Sequence, residues 1–198
     1  ILRTLGIDLG AGTGSVAINS LHVSLQSCFG SFELDPQHLR VPYLGYVVPY
    51  GKLVNRLYTQ AESAGVTFLF ESTVTEINMT DNEVELHYSQ ANTTSCVNSQ
   101  LLIAADGKNS FCRDYFNIPV EVKDTQYQSR VFHLHLDGGN NQRAFQRFTQ
   151  MGTMAVVPLS ASDEARLIMT YQKGDSASQL TSVSREIFNE VFDGYLPP

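Results

Sequence analysis

Asp106, Gly107, Ser110 and Arg113 are the residues whose types and spacing best suit chemistry in this chain. They close the stretch Leu101-Leu102-Ile103-Ala104-Ala105-Asp106-Gly107-Lys108-Asn109-Ser110-Phe111-Cys112-Arg113. An apolar run ends in a polar glycine turn, and Asn109 or Ser110 can cap a helix that holds Arg113 in its first turns. A buried strand that turns through small residues into a helix start is where open α/β sheets bind ligands. The carboxylate of Asp106 can accept hydrogen bonds from ribose or ribityl hydroxyls, and Gly107 allows close approach.

Other candidates are weaker. Asp8, Gly10, Gly12 and Gly14, with Asp35 further on, resemble the glycine-rich turn of the Rossmann-like methyltransferases that bind S-adenosylmethionine. Ser15 stands where a third spaced glycine would be, and Val16 to Leu25 alternates as a strand rather than opening a helix. His133 and His135, two apart on one predicted strand, share a face and could be half a metal site, but no third ligand is spaced to join them. Ser15 and Ser31 lack the Gly-x-Ser-x-Gly frame of a hydrolase. Cys112 beside Arg113 reads as a packed thiol. No catalytic acid, base or nucleophile stands out, so the catalytic residues stay unassigned, and no metal is expected.

The elements that would position these residues follow from periodicity. Val16 to Leu25 and 28–34 read as strands around Gln26-Ser27. Leu44 to Pro49 leads into a helix with Leu53, Leu57, Ala61 and Ala64 on one stripe, stopped by Gly65. Val66 to Phe70 reads as a short strand. Residues 73–77 and 83–88 form a hairpin around Thr80-Asp81-Asn82, with a turn at Asn92-Thr93-Thr94 before a strand over 101–105 buried on both faces. Arg130 to Leu136, Ala144 to Thr149, Met154 to Leu159 and Arg166 to Tyr171 read as an antiparallel meander, one sheet with the strands at 19–34. Val183, Ile187, Val191 and Tyr195, capped by Ser182, predict a closing helix. Phe145, Phe148, Phe188 and Phe192 read as core.

The 198 residues are 42% hydrophobic and 17% charged, enough for one domain or two small ones. A net charge of -7 without a basic cluster argues against nucleic acid. No apolar run is long enough to span a bilayer. Cys28, Cys96 and Cys112 read as free thiols. A start at Ile1 and an end at Pro198 suggest a segment of a longer protein.

The Asp106-Gly107, Ser110, Arg113 pattern resembles the "DG" segment of the class A flavin-dependent aromatic monooxygenases related to para-hydroxybenzoate hydroxylase. Gly45-Tyr46-Val47-Val48-Pro49 before a helix, 144–148 and 154–159 resemble its ubiquinone-biosynthesis branch, the 2-octaprenyl-6-methoxyphenol hydroxylase group. The resemblance covers about residues 21–195, the centre of the family's length. It implies a mixed α/β (α+β) fold: part of a Rossmann-like FAD-binding domain, residues 42–125, interleaved with an antiparallel-sheet substrate domain, residues 1–41 and 126–198. It implies FAD contacts at Asp106, Gly107, Arg113 and Val74, the last through its backbone near the adenine. It implies NAD(P)H- and oxygen-dependent hydroxylation of a polyprenylated phenol. Phe132, Leu134, Val156 and Pro158 are expected to form the apolar face for that substrate. The alternatives are a methyltransferase or a binding module without catalysis. The expected location is the cytoplasm, with the inner-membrane periphery or a ubiquinone-biosynthesis complex as further options. The family's Gly-x-Gly-x-x-Gly and Gly-Asp motifs are absent from these residues, so the segment alone is expected to hold FAD weakly and not to hydroxylate.

Overall fold

The computed structural model describes residues 2–9, 14–139, 141–150, 152–160 and 162–174. Gly10, Gly12, the predicted closing helix, Phe188 and Phe192 lie outside these. The chain divides into two compact units, 65–123 and the remainder.

In the larger unit a 3-10 turn at Arg3–Leu5 precedes strands β1 (Val16–Ile18), β2 (Ser20–Leu25), β3 (Ser31–Leu34) and β4 (Gly45–Val47), then helix α1 (Tyr50–Ser63). Residues 65–123 intervene before β8 (Tyr127–His135), β9 (Arg143–Thr149), β10 (Gly152–Pro158) and β11 (Glu164–Gln172). β1 and β4 form a two-stranded ribbon, and the other six form one sheet in the order β3-β2-β9-β10-β11-β8. The strands at 20–34 and 127–172 therefore share a sheet, as expected. The meander holds only for β9, β10 and β11. β8 pairs with β11 rather than β9, so the loop after His135 is a crossover and not a hairpin. β9 instead pairs parallel with β2.

Strict alternation builds this sheet: β10 and β11 bury every second side chain. Phe145, Met154, Val156, Ala165, Leu167, Met169 and Tyr171 form the core, with Phe132, Leu134 and Leu136 against it. Phe148 is 45% exposed. It lies three residues from Phe145 on one strand and so faces the opposite way, which corrects its assignment to the core. Helix α1 forms as expected and gives way to Gly65 at φ +86°. Its stripe Leu53, Leu57, Ala61 has no fully buried member.

The 65–123 unit holds β5 (Ser72–Met79), β6 (Val84–Gln90), β7 (Thr93–Ser99) and helix α2 (Phe111–Tyr115), with the strands in the order β5-β6-β7. β7 was not foreseen. The turn before it is Ala91-Asn92, both left-handed at φ +46° and +65°, which suits a two-residue hairpin. Two predicted strands are absent. Among the described residues Val66 to Phe70 and Leu101 to Ala105 join no strand ladder, and Leu101 and Ile103 are 72% and 77% exposed. Among the described residues no parallel strand flanks 101–105, so the run is not buried on both faces. It lines a cleft of about 370 Å³ with Met79, Val84 and Phe116. The core beneath is Ile77, Val84 and Cys112, joined by Val74 and Leu102.

Candidate functional site

The Asp106 turn is built by side chains that the local sequence supplies. Ser110, buried, is the N-cap of α2: its Oγ accepts the Arg113 N–H at 3.0 Å and donates to Asp106 Oδ1 at 2.6 Å. Asp106 Oδ2 accepts the Cys112 N–H at 3.0 Å. One carboxylate thus orders both ends of the helix entry. The hydroxyl of Ser110, and then the Cys112 amide, hold the Asp106 carboxyl down to about 2. The group is ionised at neutral pH and solvent-facing. Each of its oxygens retains a further lone pair for a ligand hydroxyl. Gly107 has φ +83°, and a Cβ there would meet nothing within 4 Å, so the turn is open on that side.

Arg113 holds the loop: Nη1 donates to the Lys108 carbonyl at 2.8 Å and Nε to Asp114 Oδ1 at 3.1 Å. Cys112 lies under the turn, packed on Ile77 and Val84, and burial pushes its thiol up from the ordinary range. It is a packing residue. Val74 joins the same cluster, so the structure brings Asp106, Gly107, Arg113 and Val74 into one unit around Cys112. β5 pairs Val74 with Tyr88 and Glu76 with His87, leaving Thr75 as an extra, bulged residue. The bulge lets Val74 and Ile77 both face inward although they are three apart, and it frees backbone groups beside Val74. Tyr115 Oη donates to the Ile77 carbonyl and ties α2 to β5.

In the larger unit Phe132, Leu134, Val156 and Pro158 lie on one face. Phe132 and Val156 flank Leu167 in one row across the sheet, and Leu134 and Pro158 flank Ala165 in the next. The face is apolar at its centre and turns polar toward β2. His22 is opposite Phe145, Ser24 is opposite Arg147, and the Arg147 Nη1 donates to Ser24 Oγ at 3.1 Å. Arg143 pairs with Glu33 at 3.1 Å and lies 5.2 Å from the Phe145 ring centroid. Burial, then the Arg143 charge, lowers His22 from its ordinary 6.5. No role was foreseen for this cluster. Arg143, Phe145 and Arg147 alternate at strand spacing, which is the signal that places them on one face.

His133 and His135 stack with centroids 5.7 Å apart, beside Glu164 and Asp163 respectively. No group able to hold a metal occurs among the described residues. Strand β1, not a helix, follows Gly14 and Ser15. Among the described residues no helix N-terminus follows Gly14 to cradle a phosphate.

Residues 1–191 match the family model described as "FAD binding domain". The chain is 27% identical over 137 residues to "Ubiquinone biosynthesis monooxygenase COQ6, mitochondrial" of Schizosaccharomyces pombe, covering 69% of this chain and 28% of that protein. It is 29% identical over 154 residues to the protein of the same name in Homo sapiens, covering 73% and 32%. The chain therefore spans less than a third of these relatives' length. Among solved structures it is similar in fold to P. aeruginosa PqsL in complex with 2-aminobenzoylacetate, with a TM-score of 0.70, 19% identity, and coverage of 91% of this chain and 49% of that one. It is also similar to the flavin-dependent brominase Bmp2, with a TM-score of 0.67, 17% identity, and coverage of 98% and 52%.

Proposed function

The chain belongs to the FAD-binding domain family, and from that premise we propose that it is the central part of an FAD-dependent monooxygenase that hydroxylates the ring of a polyprenylated phenol in ubiquinone biosynthesis. The observation that carries the reading is the Asp106 turn: an ionised, solvent-facing carboxylate held by Ser110 and Cys112 beside a glycine without a steric wall. That donor and acceptor set fits the hydroxyl-rich chain of the cofactor. Asp106 would accept hydroxyl hydrogen bonds, Gly107 would let the cofactor approach, and Arg113 would keep the loop in shape through Lys108. The freed backbone at the Thr75 bulge, beside Val74, is suited to the edge of an adenine.

Bound flavin, reduced by NAD(P)H, supplies the oxygen activation. The protein's part is to bind, orient and exclude water. Phe132, Leu134, Val156 and Pro158 share one apolar sheet face; Val156 and Pro158 are fully buried in it, so the ring and its polyprenyl tail would reach this face through the half-buried Phe132 and Leu134. In this reading 1–41 and 126–198 form the substrate half and 42–125 the cofactor half. The two named relatives, both ubiquinone biosynthesis monooxygenases, support this substrate class. No helix among the described residues is long and apolar enough to cross a membrane. We further propose that the enzyme works at the membrane periphery, where a polyprenyl substrate resides.

The test is FAD titration of the full-length protein, wild type against Asp106→Ala, with hydroxylation of a polyprenyl phenol followed in parallel. The variant should bind FAD at least about tenfold more weakly, the loss of more than one hydrogen bond. Unchanged FAD affinity would remove Asp106 from the site, and binding of S-adenosylmethionine instead would overturn the reading.

A further inference from the structure

Two of the proposed cofactor contacts sit on different elements of the 65–123 unit. Asp106 and Gly107 lie on the turn that enters α2, and Val74 lies beside the Thr75 bulge in β5. A ligand can engage both only if helix and strand keep a fixed spacing. Part of what joins them is apolar: Cys112 packs with Ile77 and Val84. Such packing sets depth but not register, because apolar burial has no direction. A hydrogen bond does have direction. Among the described residues one hydrogen bond joins residues 106–118 to β5: Tyr115 Oη donates to the Ile77 carbonyl.

The local sequence aims that hydroxyl. Cys112 and Tyr115 are three apart on α2 and so share a face, the one that meets Ile77. The Tyr115 ring is flanked by Phe111, with centroids 5.6 Å apart, and edge-on by Phe116 at 5.3 Å. Ile77 is buried and follows the bulged Thr75 by two residues, so the bond grips β5 next to the backbone freed at Val74. At the other end, Tyr115 lies one turn beyond Cys112, whose N–H Asp106 Oδ2 holds at 3.0 Å. Two hydrogen bonds and one helical turn thus lead from the carboxylate to the bulged strand.

We infer that Tyr115 is a positioning residue for the cofactor: its hydroxyl fixes the spacing between the Asp106 turn and the Val74 bulge, so that a dinucleotide long enough to reach both is held at its two ends. The inference rests on the FAD reading proposed above, with the ribityl chain at Asp106 and the adenine at the bulge. Two contacts kept at the right separation act as a chelate, because the first to form raises the effective concentration at the second. Loss of the tie should therefore weaken the whole dinucleotide and spare its halves, each of which meets one contact only.

Titration of the full-length apoprotein tests this, wild type against Tyr115→Phe, with FAD measured directly and FMN and AMP by displacement of FAD. The variant keeps the ring and loses the donor. It should bind FAD about three- to tenfold more weakly, while FMN and AMP change by less than about twofold. If Tyr115→Phe does not fold, a fluorinated tyrosine at the same position decides, because raising the pH removes its hydroxyl proton in the folded protein: FAD, and not FMN or AMP, should weaken as that proton leaves. In either experiment, an unchanged FAD affinity, or a loss shared equally by all three ligands as general destabilisation would give, would overturn the inference. A wild type that binds no FAD would overturn the FAD reading itself, and the inference with it.

Discussion

Replacing Ser110 by alanine isolates the group that organises the Asp106 turn. The hydroxyl has two bonds: it accepts from Arg113 N–H at 3.0 Å and donates to Asp106 Oδ1 at 2.6 Å. Alanine leaves the Arg113 amide without its cap at a buried position, which costs about 1–2 kcal/mol. The second consequence is electrostatic. Ser110 is the largest cause of the depressed Asp106 carboxyl, so in the variant it should titrate well above its present value of about 2, still below the ordinary 3.8 because the Cys112 amide remains. A carboxyl depressed in the folded state contributes stability above its unfolded value, near 3.8, and loses it as pH falls through about 2. The Asp106 part of the difference between wild type and variant should therefore be full above that value and vanish in strong acid. Carbon-detected titration of the Asp106 carboxyl and hydrogen exchange at the Arg113 amide read the two effects separately. Ser110→Thr should restore both, since threonine also caps. An unmoved Asp106 titration in Ser110→Ala would refute the reasoning, because it would mean that the hydroxyl does not hold the carboxylate.

Two further outcomes follow from the larger unit. Gly152 has φ +133°, and a Cβ there would stand 2.0 Å from the Thr170 carbonyl oxygen. Gly152→Ala should therefore cost about 3 kcal/mol, read from the urea midpoint, and a loss under about 1 kcal/mol would contradict this close approach. Burial, and then the Arg143 charge, lowers His22 below its ordinary 6.5. The unfolded chain binds a proton there near 6.5 that the folded chain resists, so His22 makes stability fall as pH drops through that value. His22→Gln should flatten the slope of urea midpoints between about pH 8 and about pH 5.5; an unchanged slope would show that other groups set it.

The legible parts were those written in local pattern. Alternation located β9, β10 and β11, and the Asp106, Ser110, Arg113 spacing located the turn, because strand parity and helix capping act over two to four residues. The misread parts depended on distant partners. Leu101 to Ala105 is apolar enough to be buried, but burial needs neighbouring strands that a local run does not encode, and here it is exposed. β8 reaches β11 across two other strands, a pairing no local rule dictates. β7 has no apolar alternation at all; it exists because β6 offers it a ladder. Reading both Phe145 and Phe148 as core was wrong for Phe148, since strand parity puts residues three apart on opposite faces. The double use of Asp106 by Ser110 and Cys112 was not legible, since it depends on how sharply the loop doubles back.

The parallel ladder between β2 and β9 joins Leu21 to Ala144, with residues 65–123 forming a separate compact unit along the way. On a growing chain, β2 must leave the ribosome and wait while more than a hundred residues follow before its neighbour exists. Closing so long a loop costs roughly 4 kcal/mol in chain entropy if the intervening polypeptide is slack. Prior collapse of 65–123 shortens that tether. The kinetics of the six-stranded sheet should thus be governed by a segment that contributes no strand to it.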